Sequence, residues 1–185
     1  MDFSEFPTQW EWVALILGGV AILMAVQPFT QAIWGNPRIK ITFRQSVDNG
    51  IKLLRFDIGN EPIYGGILSK LGVYRRTAEG VRADFSIYDS SGNQKLVEEF
   101  EATIVVAGEK QKQISLPVSM IDASVIIAET HPQGTSNILT TSGIMPIRMG
   151  LYKISAWVTF EGKQVSKTRL FTIGDTPNGT YWVDI

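Results

Sequence analysis

The sequence predicts a mainly β protein, with a single N-terminal transmembrane helix followed by an antiparallel β-sandwich. Two observations predict that architecture. No ionisable side chain falls between Glu11 and Arg38. Beyond Pro37 the hydrophobic period changes from helical to two. A third observation narrows the chemistry: the 185 residues include no Cys and one His, and 44% are hydrophobic against 19% charged. Such usage is that of a folded chain, not of a disordered, collagen-like or disulfide-stapled one. It excludes thiol nucleophiles, CxxC redox chemistry and zinc-finger or haem-attachment motifs. A net charge of −1 gives no electrostatic footprint for nucleic acid. No cofactor is expected.

The chain divides into a short acidic tail over residues 1–11, a membrane helix over 12–34 and a sandwich domain over 35–185. Residues 12–26 carry no polar side chain, and a helix over 12–34 spans about 34 Å at about 1.5 Å per residue, enough for a hydrocarbon core of about 30 Å. Trp10 and Trp12 at one end and Trp34 at the other supply the aromatic belts of a membrane helix. The leader holds Asp2, Glu5 and Glu11 and no basic residue, the reverse of a signal peptide's n-region, so the segment is expected to stay as an anchor.

Arg38, Lys40 and Arg44 follow the helix directly. By the positive-inside rule they place the sandwich in the cytoplasm, with Arg38 and Lys40 as interfacial anchors beside the tryptophans. The same two residues also fit the outward face of a first strand. Setting Asp2, Glu5 and Glu11 aside leaves the basic side chains of the remainder two ahead of the acidic ones, a charge suited to an anionic headgroup layer. Ala14, Gly18, Ala21 and Ala25 recur at spacings of four, three and four along the helix. One stripe of small residues results, where a second helix backbone can come close. Pro28 removes the donor for the Met24 carbonyl, and Gln27, Thr30 or Gln31 are placed to replace it.

The strands follow in order. Ile39, Ile41 and Phe43 alternate with polar neighbours, Asp48-Asn49-Gly50 supplies a type I′ hairpin turn, and Leu54, Phe56 and Ile58 return. Val81, Ala83, Phe85 and Ile87 alternate next, before a turn at Asp89-Ser90-Ser91-Gly92-Asn93 and a strand over about 96–106. Short strands are expected near 113–116 and 125–128, then an irregular loop over 129–150. Tyr152, Ile154, Ala156, Val158 and Phe160 line one face of a long strand that Glu161-Gly162-Lys163 turns into 165–173.

At Gly150-Leu151-Tyr152-Lys153-Ile154 the chain resembles the tyrosine corner of immunoglobulin-like and fibronectin-like sandwiches. Ile154 stands where such domains often carry Cys, so the likeness is to their disulfide-free, bacterial-type members. The resemblance implies that the Tyr152 ring covers the sandwich edge while its hydroxyl bonds loop backbone. It implies no activity.

Few residues invite chemistry. His131 in the long loop has Glu129 near it in sequence, yet one His without Cys makes no conventional zinc site. Glu98, Glu99 and Glu101 form the densest acidic group; with Glu99 and Glu101 on one strand face, a carboxylate pair or a calcium site competes with a plain solvated face. Gly65-Gly66 and Gly72 match no phosphate-cradling loop. Arg75-Arg76, with Lys70 and Arg82, is the most basic cluster, either a solvated turn or a contact for lipid phosphate or an acidic partner. Asn178-Gly179-Thr180 reads as a turn before Tyr181-Trp182-Val183, although it also fits a glycosylation acceptor.

The expected function is that of a non-enzymatic, single-pass accessory or scaffolding subunit. Its partners are the bilayer and other transmembrane subunits, or a second copy of itself, met through the helix. The competing reading is a tethered extracytoplasmic module that binds a ligand or glycan through Tyr64, Tyr74, Tyr88 or Trp157.

Overall fold

The computed structural model of the protein describes residues 9–63, 73–89, 94–118, 123–132, 134–148, 150–174 and 181–184. Tyr64, Gly65, Gly66, Lys70, Gly72, the turn residues 90–93 and Asn178-Gly179-Thr180 lie outside them, as do the side chains of Tyr181, Trp182 and Val183. The chain forms two compact units. One holds the helix, up to Pro37, with the described residues of Pro62–Arg76; the other holds Arg38–Glu61 and the chain from Thr77 onward.

In the first unit α1 runs Gln9–Trp34, 26 residues, and starts three residues before the expected boundary. It continues through Pro28. The hydroxyl of Thr30 donates to the carbonyls of Gln27 at 2.9 Å and Val26 at 3.3 Å. Thr30 therefore serves the turn just after Met24 and not the Met24 carbonyl itself. The expectation for Gln31 is overturned too, because its amide is committed elsewhere, as shown below.

The second unit is built from antiparallel strands in two sheets around one core. The first sheet contains β1 (Ile39–Asp48), β2 (Ile51–Asn60), β5 (Ile104–Val106), β6 (Glu109–Gln111), β8 (Ala123–Thr130), β9 (Ser136–Thr140) and β10 (Gly143–Ile147). Their order is β1-β2-β8-β5-β6, with β9 pairing β8 beyond β5, and β10 pairing β9. The second sheet contains β3 (Ala78–Asp89), β4 (Lys95–Glu99), β7 (Ile114–Leu116), β11 (Gly150–Phe160), β12 (Lys163–Gly174) and β13 (Tyr181–Asp184). Its order is β13-β12-β11-β3-β4, and β7 pairs the start of β3.

Period-two patterning explains which faces meet. Leu54, Phe56 and Ile58 of β2, Val81, Ala83, Phe85 and Ile87 of β3, and Ile154, Ala156 and Val158 of β11 are all essentially inaccessible and share one apolar cluster. β8 is buried along almost its whole length, with neighbours on both edges. Phe43 packs edge-on against Phe56 and Phe171, with ring centres 6.0 and 5.4 Å away. The turn at Asn49-Gly50 adopts positive φ at both residues, 48° and 81°, as a type I′ turn requires.

Two strand assignments change. The single strand expected over 96–106 is broken: β4 ends at Glu99 in the second sheet, and β5 begins at Ile104 in the first. The chain crosses between the sheets there because Glu101 takes φ 49° and its N–H bonds the Asp84 carboxylate at 2.7 Å. The Ala102 N–H then bonds the Ala83 carbonyl at 2.8 Å, and Ala102 is buried. Glu99 and Glu101 consequently share no strand face. The loop expected over 129–150 contains the β9–β10 hairpin, which accepts Pro146 because β10 lies at a sheet edge.

Candidate membrane helix, its collar and the sandwich clefts

Along α1 the large side chains point into open space. Among the described side chains from Val13 to Ile33, ten large apolar ones are exposed, Ile22 at 65% and Phe29 at 73% among them. The segment from Trp10 to Trp34 is long and apolar enough to cross a membrane, and none of it is buried against the described residues. Ala14, Gly18, Ala21 and Ala25 all lie on this one helix and all are exposed. At about 100° per residue they fall within a 60° arc or so. A Cβ added to Gly18 would meet nothing within 4 Å. Trp10 and Trp12 lie in its first turn and Trp34 at its end, each exposed.

The last turn of the helix contains no basic residue. A returning segment, residues 73–76, forms a collar at the helix end and supplies a donor to the Trp34 carbonyl, while Gly35 and Asn36 serve those of Gln31 and Ala32. The Gln31 amide clamps the Tyr74 backbone at two points: Nε2 donates to the Tyr74 carbonyl at 2.5 Å, and Oε1 accepts from its N–H at 3.3 Å. Arg75 Nη1 donates to the carbonyls of Asn36 at 2.9 Å and Trp34 at 3.4 Å. The Arg76 N–H bonds the Gly35 carbonyl at 2.8 Å, and Arg76 Nη2 reaches Asn36 Oδ1 at 3.4 Å. The Gly35 N–H closes on Gln31 O at 2.8 Å, and Asn36 Nδ2 on Ala32 O at 3.3 Å. A helix end leaves four carbonyls without intrahelical partners, and in an apolar setting each costs several kcal/mol. Here Gly35 and Asn36 supply two donors locally, and the Trp34 carbonyl takes its donor from Arg75, 41 residues downstream, so that a guanidinium meets the negative end of the helix dipole. Gly35 is required at this point, because a Cβ there would overlap the Gln31 carbonyl and side-chain amide.

This arrangement settles the Arg75-Arg76 alternatives in part. Arg75 is a half-buried cap of the helix end and not a solvated turn residue. Sequence reasoning lacked the pairing because its only signal was negative, a helix ending without its own cation.

Arg38 and Lys40 belong to the second unit. Lys40 lies on the outward face of β1, and both bond Glu61, at 3.5 Å for Arg38 and 3.0 Å for Lys40. Arg44 and Arg55 similarly hold the buried carboxylate of Asp57 at 3.1 and 3.3 Å.

The three glutamates go separate ways. Glu98 pairs Lys95 at 2.6 Å, and Glu101 pairs Arg82 at 3.1 Å. Glu99, only 6% exposed, accepts hydrogen bonds at Oε1 from the N–H of Thr141, at 3.0 Å, and from its hydroxyl. It lines a cavity of about 160 Å³ with Phe85, Val125, Leu139 and Lys110. His131 Nε2 lies 3.0 Å from Glu129 Oε1, which also accepts from Asn137 Nδ2 at 3.3 Å. That pair is a carboxylate and an imidazole without a nucleophile in hydrogen-bond contact. Among the described residues no group of three His, Asp or Glu side chains is arranged to hold a metal ion.

Tyr152 Oη donates to the Arg148 carbonyl at 2.8 Å, four residues upstream. Burial pushes its phenol above the ordinary value of 10.0, opposed by the nearby Arg148 charge. Tyr74 is exposed, whereas Tyr88 and Trp157 are half-buried. Compared with known proteins, the chain matches no family model, no curated protein and no solved structure.

Proposed function

We propose that this protein is a single-pass membrane anchor carrying a non-enzymatic sandwich, an accessory or scaffolding subunit that associates through its helix. The observation that carries the reading is the uncovered helix. Ten exposed large apolar side chains, at about 1.5–3 kcal/mol each for full burial, amount to roughly 20 kcal/mol in a bilayer. That exceeds the net stability of an ordinary domain, about 5–15 kcal/mol. The helix therefore needs lipid or another helix around it, and the stripe of Ala14, Gly18, Ala21 and Ala25 is the face on which a helix fits.

The tyrosine corner contact of Tyr152 supports an immunoglobulin-like or fibronectin-like identity for the sandwich. The cationic flank of Arg38, Lys40, Arg44, Arg75 and Arg76 supports a cytoplasmic sandwich. The test is association: replacing Gly18 and Ala21 with Leu abolishes helix-dependent co-purification or dimer formation after mild detergent extraction. Assembly indifferent to both leucines would remove the scaffolding half of the proposal.

A second reading, a tethered ligand-binding module, is favoured by the cavity beside Glu99. It requires an extracytoplasmic domain, so labelling of a Cys placed at the exposed Lys163 in intact cells separates the two.

A further inference from the structure

We propose that the cavity beside Glu99 binds a short ω-amino acid, its ammonium on the Glu99 carboxylate and its own carboxylate toward Lys110. The inference rests on the ligand-binding reading of that cavity, though not on the sidedness that reading requires, and it names the ligand class.

The cavity follows from a fork in the first sheet. β2 pairs one edge of β8, and β5 and β9 share the other, β5 over residues 123–125 and β9 over 128–130. Ile126 and Ile127 lie between those two pairings without a partner on that edge. Just before β5 the chain is drawn toward the other sheet by the bond from the Ala102 N–H to the Ala83 carbonyl, so the fork stays open. Glu99, from β4 of that other sheet, stands at the opening, and the space left measures about 160 Å³. A cavity of roughly 150 Å³ accepts a molecule of benzene's size.

Glu99 carries the assignment. It is only 6% exposed. Its Oε1 accepts from the N–H and the hydroxyl of Thr141. Its Oε2 has no donor among the described residues, yet it is not sealed from solvent. No cation among the described residues pairs with this carboxylate. A buried charge without a counter-charge is costly, and an entering ammonium supplies both the charge and the missing donor. Phe85, Ala102 and Val125 are buried around the cavity and suit methylenes, not a second charge at depth. Lys110 also lines the cavity but is exposed, and it has no ion pair among the described residues. Its charge disfavours a simple cation and favours a ligand whose outer end is anionic. Opposite charges at two ends, joined by an apolar body, describe an ω-amino acid.

The test uses the full chain in detergent micelles, with γ-aminobutyrate, butylamine and butyrate as probes, read by saturation-transfer NMR and titration calorimetry. Wild type is expected to bind γ-aminobutyrate, to bind butylamine more weakly and to ignore butyrate. Glu99→Gln keeps an acceptor for Thr141 but loses the charge, and should weaken γ-aminobutyrate about tenfold. Glu98→Gln, which removes a neighbouring carboxylate already paired with Lys95, should change nothing. Lys110→Gln, at an exposed position where folding is not at stake, should weaken γ-aminobutyrate about threefold without weakening butylamine. Absence of γ-aminobutyrate binding at millimolar concentration overturns the proposal, as does undiminished binding by Glu99→Gln. Equal affinity for butylamine and γ-aminobutyrate overturns the amino-acid assignment. Sidedness is read apart from this: if a Lys163→Cys chain goes unlabelled in intact cells while the micelle binding holds, the extracytoplasmic reading fails and the site stands.

Discussion

Gly35 is the residue on which the helix end turns. It lets the Gln31 carbonyl accept its N–H while the Gln31 side chain holds Tyr74. Gly35→Ala is expected to release residues 73–76, seen as faster amide exchange at Tyr74 and Arg76 with little change in the sandwich. Unaltered exchange at both positions would show that the overlap is relieved cheaply. In the core, Phe56 is fully buried with Phe43 edge-on against it, so Phe56→Ala should cost about 3–5 kcal/mol in denaturant unfolding. Tyr152 titrates with a definite sign. Its folded phenol is raised, so its contribution is complete below about pH 10 and declines as pH rises beyond that toward the folded value. Tyr152→Phe removes this alkaline loss at a cost of about 1 kcal/mol at neutral pH, from the bond to Arg148. A wild-type stability flat across the alkaline range would contradict the assignment.

At the scale of elements, what was legible in the sequence was whatever a local period or turn encodes. The hairpin at Asn49-Gly50 and the inward sets of β2, β3 and β11 follow from alternation and from the φ > 0 tolerance of Asn-Gly. The break at Phe100 was not legible, because 96–106 holds no Gly or Pro to mark it and the cause is a long-range bond from Glu101 to Asp84. The β9–β10 hairpin hid behind Pro146, which an edge strand tolerates. The collar was invisible for the same reason, since its partners are some 40 residues apart. Gly50→Ala tests the turn: φ 81° is strained for a residue with a Cβ, and a loss of about 1–2 kcal/mol is expected on thermal unfolding. The edge of β1 carries its own protection. Lys167 Nζ donates to the Ile41 carbonyl at 3.1 Å, a charge placed where another strand would pair.

For the whole molecule, the decisive quantity is the apolar surface that the chain itself leaves uncovered along α1. The sandwich completes its own core, with ion pairs at Glu61 and Glu101 toward its surface and one at the buried Asp57. The helix has no such completion, and its tryptophans and capped end suit an environment that changes from oil to water within a turn. The direct measurement is partitioning of the full chain, expressed without detergent, between membrane pellet and supernatant through an alkaline carbonate wash. Retention in the pellet, with release only by detergent, is the predicted result. A monodisperse chain in the washed supernatant would contradict the account.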